Sequence, residues 1–182
     1  KPDYAESLFN LANVSQKRGR IEEAEATYKR ALALKPDFTE AHNELGNMLK
    51  SAGRLDECVG SYERAIALKR DFLEAHNNLG NALHDLGRLE EAEICLRRAL
   101  EFRPSNAEVL NNLGTTLMGR GKLDEAETCF RQAIIHEPNF AEAFNNLGAT
   151  LEERGQLTDA ESSYKAAIDL MPAYAKAQTN LG

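Results

Sequence analysis

The sequence predicts an all-α fold, a solenoid of stacked antiparallel helical hairpins. Three observations predict it. One 34-residue register runs through the chain without insertion or deletion, apolar residues recur at helical spacing, and glycine and proline recur where helices must stop. No segment shows the alternation of a strand.

The register is set by Asn-Asn-Leu-Gly, which ends at Gly80, Gly114 and Gly148. It extends back to Gly46 and Ala12 and forward to Gly182. Further columns are Gly19, Gly53, Gly87, Gly121 and Gly155; Ala31, Ala65, Ala99, Ala133 and Ala167; and Pro2, Pro36, Pro104, Pro138 and Pro172, with Arg70 where one proline is expected. With Leu-Gly placed at positions seven and eight, the repeats are 5–38, 39–72, 73–106, 107–140 and 141–174, followed by a partial repeat 175–182. The whole of 1–182 reads as a single repeat domain.

Within each repeat the first helix is expected to open with a capping box. The pairs are Asp3 and Glu6, Asp37 and Glu40, Asp71 and Glu74, Ser105 and Glu108, Asn139 and Glu142. The glycine at position fifteen ends that helix, because glycine accepts the left-handed conformation of a C-terminus. The second helix opens with acidic residues that complement its dipole, such as Glu22-Glu23 and Asp124-Glu125, and stops before the proline. Apolar residues fall on one face of each helix, and in repeat four they include Val109, Leu113, Leu117, Leu123, Phe130 and Ile134. One hairpin cannot bury that surface alone, whereas stacked neighbours can.

Composition excludes several function classes. The 182 residues are 42% hydrophobic and 28% charged, as in a folded globular chain. A net charge of −7 argues against nucleic acid, whose phosphates demand a cationic surface. No apolar run is long enough for membrane insertion, and Lys1-Pro2-Asp3-Tyr4 lacks the apolar core of a signal peptide. Three cysteines without a CxxC pair fit a reducing, cytoplasmic location. No nucleophile, phosphate-binding or dinucleotide motif occurs, so neither enzyme activity nor a cofactor is expected of this chain.

The order Leu-Gly, Gly, Ala, an aromatic and Pro resembles the tetratricopeptide repeat, in five complete copies and the start of a sixth. The resemblance implies a right-handed α-solenoid, a superhelix whose first helices line a concave face. Departures are Leu8, His42, His76, Leu110, Phe144 and Gln178 where the family has tryptophan, and Leu49, Leu83, Leu117 and Leu151 where it has tyrosine. The asparagine columns make the chain most similar to the superhelices of O-linked N-acetylglucosamine transferases and related bacterial proteins. In them an asparagine ladder grips client backbone amides. Members that clamp a terminal carboxylate use lysine and arginine at positions two, five, six and thirteen. Here only Lys17 supplies such a charge, so an acidic C-terminal tail is not the expected client.

Residues left over from folding carry the functional expectation. The first helices hold Asn43, Asn77, Asn111 and Asn145 at position five, Asn78, Asn112 and Asn146 at position six, and Asn47 and Asn81 at position nine. Asparagine is a poor helix former, so its repeated use needs a reason. Two reasons stand side by side. Each amide offers a donor and an acceptor to an extended peptide, or asparagines bridge adjacent repeats as architecture. Positions five and nine are expected to be more open than position six. The glutamates at position two are read as caps. Glu25 and Lys29, Glu93 and Arg97, Glu127 and Arg131, and Glu161 and Lys165 are read as a solvated outer face. His42 and His76 are read as packing residues rather than metal ligands, and Cys58, Cys95 and Cys129 as small packing residues.

The expected function is therefore protein binding: a groove holding an extended or helical peptide segment of a client. The alternatives are a homo-oligomer formed through exposed terminal helices, and the substrate-recruiting part of a larger glycosyltransferase. Two local expectations accompany it. With Arg70 in place of proline, the second helix of repeat two runs on slightly or its joint loosens. Asn106, standing where other repeats have an aromatic, makes a smaller contact.

Overall fold

The computed structural model describes residues 2–172. Every element among them is an α-helix, as the periodicity predicts. The residues form two compact units, one reaching to Gly87 and the other beginning at Arg88. The first contains α1 (Pro2–Lys17), α2 (Ile21–Leu34), α3 (Thr39–Ser51), α4 (Leu55–Leu68) and α5 (Leu73–Asp85). The second contains α6 (Leu89–Phe102), α7 (Ala107–Gly119), α8 (Leu123–His136), α9 (Ala141–Glu153) and α10 (Leu157–Leu170). The partial repeat 175–182, with Asn180 and Gly182, lies outside the described residues.

Each hairpin is closed by its glycine turn. At Gly53 and Gly121 φ is +75° and +72°, a region that L side chains rarely enter. The following N–H groups reach back five residues, Arg54 to Leu49 O and Lys122 to Leu117 O, each at 2.9 Å. That closure satisfies carbonyls which the helix end would leave orphaned.

Packing inside a hairpin depends on the smallest residue facing the largest. A β-carbon on Gly46 would sit 2.5 Å from Tyr62 Cε1, and one on Gly114 would sit 2.6 Å from Phe130 Cε1. Tyr62 and Phe130 are fully buried by this approach. The alanine column is buried without exception among the described residues, and Leu45, Leu79, Leu113 and Leu147 are buried beside it. In the second unit Ala107, Leu110, Ala133 and Ala143 form one such cluster, flanked by Leu100, Ile134 and Phe140. This is the stacked core that a single hairpin lacks.

Three expectations are corrected by the helix ends and outer faces. The capping boxes do not form as read. The N-cap residues of α3, α5 and α9 are Phe38, Phe72 and Phe140, without a side-chain cap, so Asp37, Asp71 and Asn139 stand one residue before the cap. Aromatic packing fixes the chain at this point: the Phe38 ring lies 4.9 Å from Phe9, with Lys35 Nζ 4.4 Å above it. Asp3 falls inside α1. Only in α7, among these, is the cap polar: Asn106 Oδ1 accepts from Val109 N at 2.9 Å, while its side chain stays half-buried.

The second correction is at Arg70. α4 has 14 residues, the same length as α2, and does not run on. The turn is held by other bonds, from Phe72 N to Lys69 O and between His76 Nε2 and the Arg70 carbonyl at 2.9 Å. His42 Nε2 makes the matching contact with the Pro36 carbonyl at 3.0 Å. Both histidines thus tie a turn to the next helix, and burial lowers the pKa of His42.

The third correction concerns the charged second helices. The four-apart pairs form, but Glu25, Glu93 and Glu127 are not solvated: their side chains are 15%, 9% and 16% exposed. Each also receives cations from the next repeat. Arg54 reaches Glu25 at 2.6 Å, Arg120 and Lys122 reach Glu93, and Arg154 reaches Glu127. Sequence neighbours made these pairs look self-contained, while stacking brings a second set of cations onto the same carboxylates.

Candidate functional site

The asparagine face of the first helices is built by 34-residue stepping. In the first unit Asn78 Nδ2 donates to Asn43 Oδ1 at 3.1 Å and to Asn47 Oδ1 at 3.0 Å. Asn47 Oδ1 also accepts from the Tyr62 hydroxyl at 2.9 Å, and Asn47 Nδ2 donates to Glu44 Oε2 at 3.3 Å. In the second unit Asn146 Nδ2 donates to Asn111 Oδ1 at 3.0 Å, and Asn111 Nδ2 donates to Glu142 Oε1 at 3.4 Å. Position six of one repeat therefore bonds position five of the repeat before it.

This arrangement reverses the expected order of positions five and six. Asn43, Asn77, Asn111 and Asn145 are buried, and position five is not the open one. Asn47, Asn78, Asn81, Asn112 and Asn146 are half-buried, so positions six and nine border solvent. The cause is helix rotation: position five turns toward the neighbouring repeat, where a buried amide must find a partner. Glu142, read as a cap, is one such partner across the seam.

The committed atoms can be counted against what an amide offers. Asn78 uses both of its N–H groups inside the protein, which fixes the direction of its carbonyl oxygen. Asn47 spends its oxygen on Tyr62 and Asn78 and keeps one N–H. The network holds these amides in fixed orientation. The aromatic contribution was not expected, and its one signal is that tyrosine at position twenty-four accompanies asparagine at position nine in both of the first two repeats. The matching pair in repeat one is the Tyr28 hydroxyl donating to Asn13 Oδ1.

One cavity opens on this face, of about 460 Å³, lined by Phe9, Asn13, Gln16, Lys17 and Glu44. It lies in the first unit at the seam between repeats one and two. Burial, and then the Glu44 charge, push the Tyr28 hydroxyl behind it well above the usual tyrosine range. Among the described residues no group of histidine, cysteine and carboxylate side chains has the geometry to hold a metal. No helix among them is long and apolar enough to cross a membrane. Cys58 is buried and Cys95 and Cys129 half-buried, all as free thiols, and burial pushes the Cys129 thiol up to about 11.

Several solved structures share this architecture. YrrB, a TPR protein with an unusual peptide-binding site, is 27% identical, with 94% of this chain and 89% of that one covered at a TM-score of 0.77. MamA is 24% identical over 91% of this chain and 96% of that one, with a TM-score of 0.82. PilF of Pseudomonas aeruginosa is 21% identical over 98% of this chain and 82% of that one, with a TM-score of 0.86. No curated relative matches. Residues 4–182 fit the model of the cilia and flagella-associated protein 70 C-terminal domain, and the chain belongs to that family of tetratricopeptide repeats.

Proposed function

We propose that the chain is a protein-binding scaffold that holds an extended or helical client segment against its first-helix face and performs no chemistry of its own. The observation that carries this reading is the half-buried amides of Asn47, Asn78 and Asn146, held by bonds across a repeat seam. Asn78 offers an acceptor whose direction is already fixed, so a client N–H meets it with little loss of side-chain freedom. Asn47, Asn81, Asn112 and Asn146 lie at equivalent half-buried places, with Asn43, Asn77, Asn111 and Asn145 buried beneath them as support. The likeness to YrrB supports the same class of function.

On this reading the unbroken 34-residue register makes 1–182 one repeat domain, and three free thiols suit a cytoplasmic setting. The similarity to the asparagine-rich transferase superhelices belongs here too, as a proposal that rests on the Asn-Leu-Gly column. A peptide-library pull-down tests the function. Asn78→Ala with Asn81→Ala and Asn112→Ala should lose captured peptides while the helical circular dichroism signal stays intact. Unchanged capture with the amides removed rejects the asparagine face as the site.

A second reading, self-assembly, is favoured by one observation. Leu11 and Val14 on α1 are 49% and 44% exposed, while their equivalents Leu45 and Met48 are buried. Sedimentation across protein concentration tests it: a mass that rises with concentration, and stays monomeric in Leu11→Asp, supports assembly through α1.

A further inference from the structure

Both asparagine columns break at the same seam, and the breaks face one cavity. Position five is Phe9 in repeat one and asparagine in repeats two to five. Position six is Glu44 in repeat two and asparagine in every other copy. At the later seams within each unit these positions form the amide bridges Asn78–Asn43 and Asn146–Asn111. At the first seam phenylalanine and glutamate leave no such bridge, and the space is the cavity lined by Phe9, Asn13, Gln16, Lys17 and Glu44.

Glu44 is the unusual carboxylate of the chain. The other sheltered glutamates, Glu25, Glu93 and Glu127, each hold at least two cations. Glu44 is half-buried and, among the described residues, accepts only from the amides of Asn43 and Asn47, both at a long 3.3 Å. Among the described residues no lysine or arginine lies within ion-pairing distance of it. Lys17 lines the same cavity but is exposed, so solvent screens its charge. The aromatic floor is the Phe9 ring, held 4.9 Å from Phe38 and 6.1 Å from Tyr28.

We propose that this cavity is a side-chain subsite for an arginine or lysine of the bound client, stacked on Phe9 and paired with Glu44. The proposal rests on the peptide-binding reading and names the client's chemistry at one position. A cation over an aromatic face, beside a partly desolvated carboxylate, gains both a quadrupole attraction and a charge-assisted hydrogen bond. Arginine fits best, since its planar group stacks and still presents two N–H groups to the carboxylate.

The test is selection from a randomised peptide library by three proteins: the native chain, Glu44→Gln, and Phe9→Asn with Glu44→Asn, which restores the repeat's own columns. The native chain should enrich arginine or lysine at one position. Glu44→Gln should bind the enriched peptides about tenfold more weakly, and the double variant should capture peptides without the basic preference. Thermal melts confirm that each variant is folded. Capture by the native chain with no basic enrichment, or enrichment unchanged in both variants, overturns the subsite and leaves peptide binding standing. Capture of no peptide by the native chain overturns both.

Discussion

Gly46 and Tyr62 are in such close contact that the hairpin has no room for a methyl group between them: a β-carbon on the glycine would lie 2.5 Å from the ring. Gly46→Ala should therefore destabilise the chain by about 1–3 kcal/mol, the usual cost of overpacking a closed core. Repeat one carries Ala12 at this place opposite the same residue type, Tyr28, so a hairpin can yield and the protein should still fold. Urea denaturation measures the difference, and Gly46→Ala combined with Tyr62→Leu should recover part of the loss.

Glu93 gathers Arg97, Arg120 and Lys122 around one carboxylate that is 9% exposed. Glu93→Gln keeps the shape and leaves three cations facing each other. The expected loss is about 1–3 kcal/mol, reduced from that of a fully buried pair because Arg97 is about half exposed. Added salt should narrow the gap between variant and native chain in equilibrium unfolding.

Acid should weaken the seams between repeats. Hydrogen bonds from Arg54 and then Lys29 lower the Glu25 pKa from 4.5 to about 2. Burial alone would raise that of Glu93, but hydrogen bonds from Arg97, Lys122 and Arg120 outweigh it and bring it to about 2 as well. Both folded values lie below the unfolded one. Their contribution is thus complete above about pH 4.5 and is lost as pH falls through about 2. The urea midpoint, followed from neutral pH downward, should drop across that window, by less in Glu25→Gln and Glu93→Gln than in the native chain.

Asn106 caps α7 through Val109 N. Asn106→Ala should cost about 1 kcal/mol, and Asn106→Asp should retain most of the cap. Thermal melts of the two variants read the cap, since aspartate keeps the side-chain acceptor and nearly the volume of asparagine while alanine keeps neither.

The hairpins were legible because their signals are local. Gly53 ends a helix by its own backbone freedom, and Ala65 or Leu79 marks a buried face by its own periodicity. The asparagine columns were harder, because one residue type serves two ends of a bond. Asn111 is the buried acceptor and Asn146 the half-buried donor, and only a turn of about 100° per residue separates positions five and six on the helix. The second cation on Glu25 was equally hidden, since Arg54 lies a repeat away. The departures at Phe9 and Glu44 were visible as breaks in a column. That they face the same cavity depends on how α1 and α3 stack, which no single repeat encodes.

The five turn glycines have φ values within a few degrees of one another, from +72° to +76°. Such uniform corners make the hairpin an interchangeable brick, so gaining or losing a whole 34-residue unit leaves every remaining bend unchanged. What limits the exchange is the mortar. Glu93 demands basic residues in the repeat that follows it, and Asn43 demands a donor like Asn78. A shuffled array is thus sorted by whether neighbouring bricks were made for each other, and lineage is written at the joints more than in the bricks.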